Sequence, residues 1–427
     1  MNMVVDQRIQ TLIDETKTKF GLEDYDLARH ELHREVNMFN ETVYTLSMEW
    51  FPKHVQINED ADFNPDGTAV IEIELHSKRY KHVIFVGGKC YVNGIKMERI
   101  NLEEVIKWIE RETGFTYGKQ FLLRKEQERK YQFHSCVNGV FVSPGGSIEI
   151  EFDSSGNLIL FTVDGQFPAP EMVKEETYTL TMEKIENIAK SQLKLVEFPI
   201  TEKETFCPVY AVEEIYVTND RLSTIPFEEA FDGRPHIKID KTMYWESPAN
   251  QSYIEQKIKF QEDITAEQAF MREPSPDSKP ISKADQEQCI HAVQILLSQK
   301  YTNDSGKWIL KTLHRDMGYI HATLTKIDEK RSIFQRKLTV IIDPNRFQPV
   351  NFIDNKPMIE MFNHYQKSEK VTITEEEAYE KLKDKFELKP CYVYNFDEKK
   401  YVLCGKLDCQ YGVYATNGDI VSLDGLL

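Results

Sequence analysis

The chain has 427 residues, 41% of them apolar, which is more than one hydrophobic core usually organises and sets an expectation of two or three domains. Seventy acidic residues against 53 basic give a net charge of −17, a field that repels phosphate backbones and anionic headgroups, so nucleic acid and membrane surfaces are poor partners. No run of about 18 apolar residues occurs, and Asp6, Arg8, Asp14 and Glu15 interrupt the apolar residues that a signal peptide would need, so the expected location is cytoplasmic.

In chain order, Val5, Ile9, Leu12 and Ile13 fall at helical spacing, and Leu27, Leu32 and Val36 extend a helical expectation to about Asn37 after a break at Gly21. This stretch holds His30-Glu31-Leu32-His33, where the second histidine comes three positions after the first rather than the four of a zinc-peptidase helix, which favours a solvated charged face over a metal site. From Val43 the period changes to two: Val43 to Trp50, Ala69 to Leu75 and Tyr80 to Val86 form an antiparallel meander with one wet face.

Asn101-Leu102-Glu103-Glu104 reads as a cap opening a helix with Val105, Ile106, Trp108 and Ile109, stopping by Gly114. Tyr131 to His134 and Val140 to Val142 are short runs, Ser143-Pro144-Gly145-Gly146-Ser147 is a turn, and Ile148 to Phe161 is a hairpin folded at Asp153-Ser154-Ser155-Gly156. A helix follows near Thr181, then a strand from Tyr210 to Val217. Gly233 to Phe270 mixes an alternating run at His236 to Ile239, a turn at Trp245-Glu246-Ser247-Pro248 and an acidic segment expected to be helical. Three prolines between Arg272 and Lys279-Pro280 mark a linker.

Ser282 caps a helix whose Cys289, Ile290, Val293, Leu296 and Leu297 share a side. Strands at Trp308 to Leu310 and Tyr319 to Ile327 lead to a second hairpin, Lys337 to Phe352, folded at Asp343-Pro344-Asn345. A second helix then opens at Thr374, with Glu377 completing its cap, and strands follow at Tyr392, Tyr401 and Tyr411. Helix, hairpin, helix and strand thus recur in one order, and Tyr216-x-Thr218-Asn219 matches Tyr414-x-Thr416-Asn417. A duplicated unit is expected. The expected partition is 1–100, N-terminal helices and meander; 101–271, a first lobe with an extension; 272–280, the linker; and 281–427, a second lobe.

A helix, then strands, then a turn such as Ser155-Gly156-Asn157-Leu158 or Asn417-Gly418-Asp419-Ile420 before a last strand resembles the PepSY-type fold. The paired arrangement is similar to the repeated domain of the YcdB/YcdC group, over about two thirds of the chain from Asn101 to Leu427. The resemblance implies tandem PepSY-like repeats and a non-catalytic binding or inhibitory module.

Candidate chemistry is sparse. His314, Asp316 and His321 on neighbouring strand segments could bind a divalent ion, against the alternative that polar residues simply gather at strand ends. Cys404 and Cys409, with Cys391 the nearest third thiol, are wide enough apart to flank a hairpin turn and are expected to pack across strands rather than hold zinc. The seven cysteines, an odd and scattered set, are expected to be reduced and mostly buried. There is no GxSxG, HExxH, GxxxxGK or GxGxxG string, and the 24 phenylalanines and 20 tyrosines lack the interleaved basic residues of a base-stacking surface. No catalytic, cofactor or metal residue is assigned. The expected fold is α+β, with antiparallel sheets each covered by helices on one face. The expected function is a non-enzymatic binding or regulatory protein that engages a peptide or protein partner through its sheets. The alternatives are a hydrolase with a non-standard acidic or metal-assisted site, and a structural protein that self-associates.

Overall fold

The computed structural model describes residues 5–55, 63–92, 94–220, 223–227, 235–245, 253–259, 263–327, 334–366 and 370–426. Helix α1 (Gln7–Phe20) leads into β1 (Tyr25–Val36), β2 (Thr42–Pro52), β3 (Ala69–Glu74) and β4 (Tyr80–Phe85). Helix α2 (Leu102–Thr113) opens β5 (Phe121–Gln127), β6 (Lys130–Val137), β7 (Val140–Ser143), β8 (Ser147–Phe152) and β9 (Leu158–Asp164). Helix α3 (Met182–Gln192) precedes β10 (Leu193–Ile200), β11 (Thr205–Val212), β12 (Ile215–Thr218), β13 (Thr224–Pro226) and β14 (Ile237–Met243). After the short α4 (Ala266–Phe270), α5 (Lys283–Lys300) opens β15 (Trp308–Asp316), β16 (Tyr319–Lys326), β17 (Lys337–Ile342) and β18 (Pro349–Asp354). Helices α6 (Lys356–Glu360) and α7 (Glu375–Leu382) then lead to β19 (Glu387–Asn395), β20 (Lys400–Asp408), β21 (Tyr411–Tyr414) and β22 (Ile420–Ser422).

The fold is α+β with antiparallel sheets, as the alternation of apolar residues requires. Two compact units form. One comprises Met1–Glu176, Glu262–Ser275 and Cys391–Val402, the other Thr177–Gln261, Pro276–Pro390 and Leu403–Leu427.

In the first unit the strands run β1-β2-β3-β4-β9-β8-β6-β7, and among the described residues β5 pairs β6 alone. Ile9, Leu12 and Ile13 of α1 and Val105, Trp108 and Ile109 of α2 bury against one face of this sheet, meeting Leu46, Met48, Ile71, Ile148, Ile150 and Phe161. Asn101 Oδ1 accepts from the Glu104 amide at the start of α2, and Gly114 ends it at φ 72°. At the hairpin between β8 and β9, Asp153 Oδ1 accepts from the Ser155 and Asn157 amides, and Gly156 adopts φ +86°. A Cβ there would lie 2.4 Å from the Met97 carbonyl oxygen. Gly156→Ala is expected to cost about 2–3 kcal/mol, visible as an earlier urea midpoint, whereas Gly139→Ala at the open β6–β7 turn pays only the backbone strain.

The second unit has two principal cores. In one, Cys289, Val293, Leu296 and Leu297 of α5 pack on Leu310, Leu324, Val340 and Ile342 of the sheet β14-β15-β16-β17-β18. Ser282 and Asp285 form a full capping box on α5. In the other, Ile185 and Ala189 of α3 and Ala378 and Leu382 of α7 bury against Ile215, Val217, Leu407 and Val413. Thr374 and Glu377 complete a capping box on α7, while Thr181 at the equivalent place makes no side-chain cap.

The duplicated order is present. Helix α2 with β5, β6, β8 and β9, where β7 intervenes between β6 and β8, and helix α5 with β15 to β18, are each a helix followed by a four-stranded antiparallel meander. The first helix with β1 to β4 adds a third instance. The following modules trade strands: β11 pairs with β21 and β12 with β20, so Tyr216 and Tyr414 lie in each other's sheets.

Two expectations are corrected. Residues 25–36 are a strand, not a helix, because the spacing of Leu27 and Leu32 at a bulged, half-wet edge imitates a helical period while both side chains face the core. The acidic segment before Phe270 is helical only over Ala266–Phe270, residues 253–259 form no element, and positions 246–252 and 260–262 lie outside the described residues, with them the Glu246-Ser247-Pro248 part of the expected turn.

Candidate functional site

The first unit's sheet buries one face and presents the other, and register decides what that second face carries. Ser47, Glu72, His82, Thr162, Glu149 and Gln132 are successive cross-strand partners on β2, β3, β4, β9, β8 and β6, so a polar row crosses the sheet. The next row holds Asp164, Ser147, His134 and Leu122.

Where the rows meet, His82 Nδ1 lies 2.8 Å from Glu72 Oε2 and Nε2 lies 2.7 Å from Asp164 Oδ1. The bond to Asp164, then that to Glu72, raises the imidazole from its ordinary 6.5 to about 9, and the same bonds lower both carboxylates. His82 is therefore an imidazolium at neutral pH with both nitrogens committed, which makes it a clamp joining β3, β4 and β9 and not a proton acceptor. Because its folded value is raised, the stability it supplies is complete below about 6.5 and is lost as pH rises through about 9; the lowered carboxylates lose theirs as pH falls through their depressed values. With His82 one quarter exposed, His82→Ala is expected to abolish a decline of about 1–2 kcal/mol between pH 6.5 and 10, measured by urea denaturation across that range.

At the far end of the second row an open hollow of about 450 Å3 lies over His134. Arg124, the extra residue of a bulge in β5, sits at its rim beside Leu123. Phe141 and Val142 of β7 form the opposing wall, with Phe141 47% exposed and its ring edge-on to His134 at 4.2 Å between centroids. Gly145 and Gly146 close the floor, fixed by the Gly146 amide donating to Ser135 Oγ at 2.8 Å. Burial, assisted by the Arg124 charge, lowers His134 from 6.5 to about 4, so its ring is neutral, and its buried Nε2 has no hydrogen-bond partner among the described residues. Ser147 therefore has no bond to that nitrogen, and no nucleophile–base pair forms here.

The residues singled out by sequence lie elsewhere or apart. His30 and His33 are on one strand at odd separation and project from opposite faces, so they cannot share an ion. His314 and His321 are direct cross-strand partners on β15 and β16, with stacked rings 5.1 Å apart, and His321 Nε2 lies 3.2 Å from the Asp316 main-chain oxygen. Among the described residues no group of three His, Cys, Asp or Glu side chains is arranged to hold a metal ion. Cys404 lies within β20 and Cys409 just beyond its end, so the two do not face each other across a hairpin. All seven cysteines are free.

The hollow was hidden in plain residues: Tyr131 to His134, Val140 to Val142 and the Ser143 to Ser147 turn are legible one by one, but only the pairing of β5, β6 and β7 brings them together.

The features above define an α+β protein built of helix-capped antiparallel sheets with an open, polar sheet face. No family model matches the chain, and no curated protein does. Among solved structures, the Bacillus megaterium YpeB C-terminal domain is similar at 11% identity and a TM-score of 0.21, over 49% of this chain and 87% of that one; at that score the likeness carries no argument. Among the described residues, no helix is long and apolar enough to cross a membrane.

Proposed function

We propose that this is a non-enzymatic binding protein whose first unit holds a peptide segment of a partner along the edge of β5 and in the hollow beside it. The observation that carries this reading is the juxtaposition of a free strand edge with an exposed aromatic ring: among the described residues β5 pairs β6 alone, and Phe141 of β7, half open, pairs with the same strand β6 next to where β5 begins. An extended peptide added to such an edge gains main-chain hydrogen bonds, and a neighbouring pocket selects one side chain. Seven free thiols support placing this activity in a reducing compartment, the cytoplasm.

Affinity selection of a random heptapeptide library on the purified full chain tests the proposal. Selected peptides are expected to lose about tenfold in affinity to Phe141→Ala, the order of 1–2 kcal/mol for an aromatic contact at a small interface. Peptides that bind the variant and the wild type equally would refute this location.

A further inference from the structure

We propose that the hollow takes the C-terminal carboxylate of a peptide whose last side chain is apolar, an inference that rests on the peptide-binding reading above. Arg124 is exposed and forms no ion pair among the described residues, although the chain carries 70 acidic side chains against 53 basic ones. Several other cations of the same sheet are engaged, Arg29 with Glu49, Lys81 with Glu35, and Lys130 with Glu149 and Glu151, while the neighbouring Lys125 is exposed and, like Arg124, makes no ion pair among the described residues. A guanidinium held at a strand bulge with both prongs unoccupied is matched to a planar carboxylate, which it can bind in a bidentate manner.

The surroundings narrow the ligand. The apolar surface of the hollow is the exposed Phe141 ring, edge-on to His134, since Leu123 pairs with Phe133 and packs into the core on the other face of the sheet. A ligand that uses both features presents a negative charge to Arg124 and an apolar group to Phe141. A peptide's last residue does this on one Cα, whereas an internal aspartate or glutamate brings the charge without the apolar group. At about 450 Å3 the hollow has room for one or two residues and not for a helix. The preceding residues of the peptide would then run along β5, whose outer edge from Leu122 to Gln127 carries no strand among the described residues.

The test uses the full-length chain and two heptapeptide pools of identical random sequence, one with free C-termini and one amidated, each fluorescently labelled at the N-terminus. Binders are selected from both pools, sequenced, and titrated by anisotropy against wild type, R124Q and R124K. Selection of free-carboxylate peptides ending in Leu, Ile, Val or Phe is expected, with amidation weakening them at least tenfold. R124Q is expected to bring free and amidated forms to the same affinity, and R124K to recover part of the difference. Amidated peptides that bind as well as free ones, or R124Q weakening both forms alike, would overturn the carboxylate assignment while leaving peptide binding in place. If neither pool yields a binder to wild type, the peptide-binding reading fails and this inference with it.

Discussion

Arg336→Met is expected to destabilise the second unit by about 3–5 kcal/mol, the cost of leaving a buried charge without its partner. Arg336 and Asp354 are 11% and 15% exposed, and Arg336 Nη2 donates to Asp354 Oδ2 at 2.7 Å while Nη1 meets Oδ1. The Tyr301 hydroxyl also donates to this carboxylate, and Arg336 Nη1 donates to Asn355 Oδ1 at 3.1 Å. Burial pushes Asp354 up, and the bonds from Arg336 and Tyr301 outweigh it, so the carboxyl stays below its ordinary value. Removing the guanidinium leaves burial opposed only by one hydroxyl and the Lys356 amide. The deficit should shrink as pH falls, since protonation discharges the orphaned group. Arg336→Met combined with Asp354→Leu should recover most of the loss, because replacing both members of a buried pair by apolar residues is far milder than removing one. Chemical denaturation of the full chain, followed by circular dichroism at several pH values, measures all three effects.

Trp108→Ala is the counterpart in the first unit, with an expected loss of about 3–5 kcal/mol. Trp108 is 6% exposed on α2 and meets Phe161 of β9 edge to face at 4.8 Å. The contact fastens the helix to the buried face of the sheet, so its removal opens a cavity that neighbouring residues on two rigid elements cannot collapse to fill. Trp108→Phe keeps an aromatic partner for Phe161 and should cost about half as much. Urea midpoints of the three proteins decide this.

What the sequence disclosed and what it withheld follow one division. Local signals were readable: the alternation of Ile148, Ile150 and Phe152, the turn aspartates Asp153 and Asp343, and the caps at Asn101, Ser282 and Thr374 each act within a few residues. The duplicated order was readable for the same reason, since it is a succession of such signals. Strand β1 was misread because Arg29, Glu31, His33 and Glu35 alternate with His30, Leu32 and Arg34, leaving polar residues on both faces and no clean period of two. The exchange of β12 and β21 between modules had no local signature, because β12 pairs β20 and β21 pairs β11, partners far away in the sequence. The candidate site was least readable of all. The Glu72–His82–Asp164 clamp and the Arg124–His134–Phe141 hollow draw single residues from strands whose register emerges only after folding.

Hydrogen–deuterium exchange on the full chain, with and without a saturating library-selected peptide, tests the binding account most directly. The account predicts that amides from Leu122 to Gln127 slow on peptide addition, with Val140 to Gly146 slowing beside them, and that exchange in the sheet of β14 to β18 is unchanged. Protection confined to that other sheet, with β5 exchanging at its free rate, would contradict it.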